Sequence, residues 1–435
     1  MTDRSVPTAG DAVPDGKLRA ADRSDRSNRN TAVLVGFTAV TNLADGVTKV
    51  VLPLMATRLT DSPAQVAGVA LTLTLPWLLV ALHVGVLVDR FDRRLLLWLA
   101  DGARMLVVAG LLALALRDAV TVPALYAAGL VLGVAEVVAL TSAATLVPSL
   151  VAPAGRERAN AWVAGAETAC NEFCGPFVGG LLVAAGASVA LGWTGAGYLV
   201  GTLVLLLLVG RFKPTAGDAR PTGTVNQRIA EGVRFLWQQR LLRLMALALT
   251  VLSACWGAWL ALMPLVATSL MGLDSREYGL LLSALGAGGL VGALTVTSVN
   301  RLLGRRWSMF ADLVGTAAMV AAPVFSTSLW VVAGGAFLGG MGGILWTVNS
   351  RTVSQRLVPD AMLGRYNAAA RLFSWGAMPL GAGLVGVLAE WFGIRVAFAV
   401  FTLATLAIVA PFLRTVTPRA LADAAGPVTG SPVGR

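Results

Sequence analysis

Charge is scarce in this sequence. Of its 435 residues only 13% are charged while 56% are hydrophobic, where a soluble chain carries about 25% charged residues. That leaves too little polar surface to coat a water-soluble core. Histidine occurs once and cysteine three times, so no His/Cys cluster has metal-ligand spacing, and Cys170 and Cys174, with Cys255 elsewhere, read as small packing residues. A single imidazole, His83, also makes a Ser-His or Cys-His catalytic arrangement unsupported, and an interhelical hydrogen bond is the plainer use for it. No G-x-x-x-x-G-K-[ST] segment is present to bind ATP phosphates. The expectation is therefore no catalytic residue, no metal and no cofactor, with any work driven by an ion gradient.

Long apolar runs are what the sequence has in abundance. Runs of about 18 or more such residues mark membrane-spanning helices, and twelve are read at 32–57, 64–88, 95–116, 122–147, 158–184, 188–210, 241–266, 279–298, 307–325, 329–349, 364–391 and 396–414. The expected fold is an all-α multi-pass membrane protein. Its net charge of +11 is placed for topology rather than for nucleic acid. Arginines gather in alternate loops: Arg90, Arg93 and Arg94, then Arg156 and Arg158, a cluster from Arg211 to Arg243, then Arg301, Arg305 and Arg306, and Arg351, Arg356 and Arg365. The other loops hold Arg58, Arg117, Arg276 and Arg395. The positive-inside rule then puts both termini in the cytoplasm of a bacterial plasma membrane.

Residues 1–30 and 416–435 are polar and are expected to be disordered cytoplasmic tails. They do not resemble a signal peptide. Residues 212–240 form the one long polar interruption, read as a linker followed from about Val225 by a short amphipathic helix. It divides the chain into bundles of six spans, 31–211 and 241–415. The halves echo each other: LVPSLVAPAGRERANA (146–161) matches LVPDAMLGRYNAAA (357–370), and DRFDRR (89–94) matches RLLGRR (301–306). Two six-helix bundles related by a pseudo-twofold axis make a transporter with its site between the halves near mid-membrane.

The stretch GVLVDRFDRR (85–94) resembles the inner-loop signature G-x-x-x-D-R-x-x-R-R of the major facilitator superfamily. The resemblance implies a gate motif of Gly85, Asp89, Arg90, Arg93 and Arg94. In it Gly85 allows close helix approach, and Asp89 faces cationic groups and the positive helix start near Asp360–Gly364. A solvated topology loop is the plainer use of the same residues. GPFVGG is similar to the fifth-helix antiporter signature, through Gly175, Pro176, Gly179 and Gly180, which implies close helix packing, a proline bend and exchange of substrate for protons. Its upstream glycines are replaced here by Trp162 and Asn171, and close packing alone would also explain it. NLADG (42–46), RLTDSPAQVAG (58–68), EGVRFLWQQRLLRLM (231–245) and RLVPDAMLGRYNAAARLFSWGAMPLG (356–381) resemble the branch of enterobactin-exporter and macrolide-efflux proteins. The arginine that many proton-coupled members carry in the fourth helix is missing, and Glu136 is the ionisable residue there.

Ionisable groups at mid-membrane cost about 2.5–3.5 kcal/mol each and need a partner or a purpose. Asp45 and Lys49 lie one turn apart on the first span and can neutralise each other; the functional alternative has Asp45 titrating or touching substrate while Lys49 tunes it. Asp101 and Arg104 read as an ion pair near the inner surface, supporting the gate. In the fold that the resemblance implies, spans 1 and 4 line the cavity beside span 5, so Asp45, Glu136 and Glu167 are the proton-coupling candidates; a packing network with Asn171 is the plainer reading. At about 100° per residue Glu167 shares a face with Asn171, and Glu172 points roughly 140° away. Lys49, Asn171, Trp256, Trp259, Trp346, Asn349 and Arg371 are candidate substrate contacts, suited to bulky amphipathic or cationic compounds; core packing or an interfacial belt is the alternative for the tryptophans. The function expected from the resemblance is a monomeric exporter of an organic compound (drug, secondary metabolite or siderophore), working by proton antiport. A proton-coupled importer and a non-transport membrane sensor or assembly protein are the alternatives.

Overall fold

The computed structural model describes residues 14–151, 155–208 and 225–423. Helices dominate throughout, as a bilayer requires, because a backbone in hydrocarbon must satisfy its hydrogen bonds internally. The N-terminal half of the sequence folds as α1 (Pro14–Ala56), α2 (Pro63–Leu79), α3 (Ala81–Arg90), α4 (Arg93–Ala115), α5 (Val122–Leu150), α6 (Arg156–Glu167), α7 (Gly175–Ala185) and α8 (Ala187–Leu205). A π-helical turn, Thr168–Cys174, joins α6 to α7. After the amphipathic α9 (Val225–Gln238) come α10 (Arg240–Leu265), α11 (Ser275–Phe325), α12 (Leu329–Leu357), α13 (Asp360–Ser374), α14 (Ala377–Phe392), α15 (Ile394–Thr415) and the short α16 (Pro418–Asp423).

Nine of the described helical stretches are long and apolar enough to cross a membrane. α11 is 51 residues long, far beyond the roughly 20 that one crossing needs. It breaks at Gly304, whose φ of +79° lies in the region that favours glycine, so 275–303 and 305–325 are separate rods. Large apolar side chains such as Leu106, Leu294 and Leu403 point outward over the flanks, which suits acyl chains rather than water. Exposed Phe325, Trp330, Trp391 and Phe392 gather at one end of these helices, as an interfacial aromatic belt does.

α1 starts earlier than expected, at Pro14, so residues 14–30 extend the first span rather than forming a tail. Proline is well placed in a first turn, and the Leu, Arg and Ala residues that follow favour helix. Residues 1–13, the linker 209–224 and the tail 424–435 lie outside the described residues. α9 forms where it was expected, yet it docks on α13: Glu231 pairs with Arg365 at 2.8 Å and Trp237 stacks on Phe373.

The two sequence halves meet most intimately at the end carrying Ser62 and Glu390. There α7 packs against α11, and α2 against α14 and α10. A Cβ at Gly279 would come within 3.1 Å of the Gly180 Cα, and one at Gly386 within 2.9 Å of the Ala67 side chain. Missing side chains let these helices touch backbone to backbone. Ser62 Oγ donates to Glu390 at 2.7 Å and the Ala64 N–H to the same oxygen at 3.2 Å, so one carboxylate ties α14 to the start of α2. At the opposite end Gly85 has open space around it. The close approach expected at that glycine is absent, and at this end α3 packs on α2 and α5 while α13 packs on α9, α10 and α14, each within its own half of the sequence.

Candidate functional site

α1 supplies the spine of the site. Its period of 3.6 residues brings Asn42, Asp45 and Lys49 to one side, and Gly46 lets α7 approach closely. A Cβ at Gly46 would lie 2.6 Å from the Asn171 carbonyl oxygen, and one at Gly175 would lie 2.7 Å from the Gly46 Cα. Gly175 and Gly179 of the GPFVGG stretch therefore seat α7 on α1, while Gly180 seats it on α11.

Two charge clusters are stacked along this spine. In the first, Arg104 bridges two acids: its guanidinium reaches Asp45 Oδ2 at 2.7 Å and Asp101 Oδ1 at 2.9 Å. The Tyr198 hydroxyl donates to Asp45 Oδ1 at 2.8 Å, and its ring lies under the guanidinium. All four side chains are buried. The expected Asp101–Arg104 pair forms, both residues are buried, and Arg104 reaches beyond it to hold Asp45 as well. In the second cluster Lys49 Nζ donates to Glu136 Oε1 at 2.8 Å and to Asn171 Oδ1 at 2.9 Å. Asn171 Nδ2 in turn donates to Asn42 Oδ1 and Glu136 Oε1. Asp45 and Lys49 thus belong to different clusters rather than to one pair, because each has a better-placed partner on another helix.

The π-helical turn changes the reading of the fifth span. Pro176 has no N–H to continue the ladder, and the Gly175 N–H bonds to the Cys170 carbonyl, five residues back. The wider π turn rotates Glu172 back toward the side of Glu167 relative to α-helical spacing. Glu172 is exposed, and its principal charged neighbours are Lys49 and then Glu167. Glu167 is half-buried; it senses Glu136, Lys49 and, from the other half of the sequence, Arg371. Five carboxylates (Asp45, Asp101, Glu136, Glu167 and Glu172) thus share this region with Lys49 and Arg104, and exposed Arg371 faces them.

Other expected positions fall differently. Trp259, Trp346 and Asn349 are wholly buried in packing within the C-terminal half, where they present no surface to a ligand; Asn349 donates to Asn300. Trp256 is half-buried beside Gly343. The side chains of Asp89 and Asp360 lie outside the described residues, so the gate pair does too. Asp92, two residues before Arg94, caps α4 through the Arg94 and Leu95 N–H groups, and Arg94 lies over Trp98; Arg90 is exposed at the end of α3. Two groups were not singled out from sequence. Tyr198 is the one tyrosine of its apolar span. Asp312, buried in 305–325, accepts from Thr316 and forms no ion pair among the described residues. A lone polar residue in an otherwise apolar run was the available signal for both.

A family model described as transmembrane secretion effector matches residues 28–429. The multidrug efflux pump Tap of Mycolicibacterium fortuitum is 29% identical over 413 residues, covering 89% of this chain and 96% of that protein. The enterobactin exporter EntS of Escherichia coli O1:K1 is 29% identical over 362 residues, covering 81% and 83%. Among solved structures, a point mutant of the nucleoside transporter NupG superposes with a TM-score of 0.70 at 10% identity, covering 89% of this chain and all of that one. That last likeness concerns the fold alone.

Proposed function

The chain belongs to the transmembrane secretion effector family of the major facilitator superfamily, a secondary transporter of small molecules and not an enzyme, and we propose that it exports an organic compound by proton antiport. Its twelve crossings are counted by splitting α11 at Gly304, joining α2 with α3, joining α6 to α7 through the π turn and joining α13 with α14. They divide into two six-helix bundles about the 209–224 linker, with both termini in the cytoplasm by the arginine distribution. The Ser62–Glu390 end then faces outward and is shut, and the Arg90 end faces inward and is splayed. This is an inward-facing arrangement, ready to receive a compound from the cytoplasm.

The observation that carries the proposal is the surplus of carboxylates over cations around α1 and the π turn. Charges in an apolar interior must be balanced. A proton on one carboxylate reduces the surplus, and so does a bound organic cation, which makes the two competitors. Protons taken up from outside ride the return leg, and substrate displaces them inside. Glu167, Glu136 and Asp45 are the coupling candidates, and Glu167 and Glu172 line the approach. Exposed Arg371 gives an amphiphilic substrate an anchor of opposite sign. The names of the relatives, a multidrug pump and a siderophore exporter, support a drug, secondary metabolite or siderophore as the cargo class.

Inverted membrane vesicles energised acid-inside test this. Proton release on addition of a transported compound is the expected result. Compound-dependent proton movement in the opposite sense would instead mark an importer.

A further inference from the structure

A second charged feature lies apart from the carboxylates, at the break between the two rods of α11. Thr297, Asn300, Arg301, Arg305, Arg306 and Trp307 border an open cavity of about 780 Å³ there. Three guanidinium groups border it, and the described residues around it include no acid. None of the three arginines forms an ion pair among the described residues. Arg306 is held in place by donating to the Leu413 carbonyl at 2.9 Å and by lying over the Trp307 ring.

The internal repeat sharpens the point. In DRFDRR (89–94) the arginines are accompanied by two acids, and Asp92 caps the helix that follows. In RLLGRR (301–306) Arg301 stands at the place of Asp89 and Gly304 at that of Asp92. The second copy thus keeps the paired arginines and loses both acids, with its remaining arginine at one of the vacated acidic positions. No side chain among the described residues accepts from the first N–H groups of 305–325, and a helix start of this kind favours an anion. Leu302 is 82% exposed, and Leu303 and Trp307 are exposed beside it. Charge and hydrocarbon-facing surface therefore adjoin, as they do where a headgroup meets its acyl chains.

We propose that this cavity binds the phosphate of an anionic phospholipid headgroup. Guanidinium groups engage phosphate through paired hydrogen bonds, basic pockets between spans on the cytoplasmic side hold anionic headgroups, and Trp307 anchors the interface. Three cations without an acid disfavour a zwitterionic lipid, whose own cation has nothing to meet. The exposed leucines favour a lipid over a free phosphate ion, since the latter has no use for them.

The test is thermal unfolding of the purified full chain in detergent, with phosphatidylglycerol, phosphatidylcholine or inorganic phosphate added in turn. Phosphatidylglycerol is expected to raise the midpoint more than phosphatidylcholine does, and Arg301→Gln with Arg305→Gln is expected to abolish most of that difference. Equal stabilisation by both lipids, or an undiminished preference in the double variant, overturns the site. The same shift from inorganic phosphate overturns the lipid assignment in favour of a free-anion site. Should the double variant not fold, Arg301→Asp restores the acid of the first copy at an exposed position. It is expected to fold and to lose the preference, and retention of the preference would count against the proposal.

Discussion

Arg104 decides how the first cluster is read at the scale of single residues. It contacts two buried carboxylates at once, and breaking a buried pair by removing one partner typically costs about 3–5 kcal/mol. Arg104→Gln is therefore expected to lower the unfolding midpoint sharply in detergent. Adding Asp101→Asn to the same chain should restore part of the loss, because the two sites are in contact and do not act independently. Full additivity of the two changes would mean that the pair does not interact as the geometry indicates. The sequence made Asp45, Glu136 and Glu167 legible as interior acids, since a charge in an apolar span stands out. It did not make their partners legible. Which cation meets which acid depends on helices far apart in the chain, and the nearest cation in sequence, Lys49, turned to Glu136 instead of Asp45.

Elements explain the rest of the site. The stretch TACNEFC followed by Gly175 and Pro176 was read with α-helical spacing, and that assumption pointed Glu172 away from the cavity. The proline removes one backbone donor, the ladder resets by one residue, and the wider turn rotates Glu172 back toward the side of Glu167. Pro176→Ala restores the donor and permits a regular α-helix. It is expected to leave the protein folded while lowering transport several-fold, through reorientation of Glu172 and Asn171. Normal transport in a folded Pro176→Ala protein would show that the π turn has no functional weight. The all-α, multi-pass character was readable because hydropathy and length carry the signal directly. The exception was the start of α1, where helix-favouring polar residues extend a span that apolar content alone began at residue 32.

For the whole molecule the account rests on two ends that cannot be shut at once. The shut end depends on Gly180 against Gly279 and on the Glu390 carboxylate at the start of α2. Glu390→Ala removes the acceptor shared by Ser62 and Ala64, each such charge-assisted bond being worth about 1.5–3 kcal/mol. It is expected to shift the population toward the outward-open state. Cysteines introduced on α2 and α14 at this end should then be labelled faster by a membrane-impermeant thiol reagent, and unchanged labelling would argue that the tie does not hold the gate.

The central claim is that protons and an organic substrate compete for the carboxylates around α1 and the π turn. The most direct measurement is proton release from acid-inside inverted vesicles during titration with a panel of cationic drugs and siderophores. Wild-type, Glu136→Gln and Glu167→Gln proteins should be compared at matched folded amounts. The account predicts release with at least one compound in the wild type and its loss in at least one of the two variants. Undiminished release in both variants and in Asp45→Asn would contradict it.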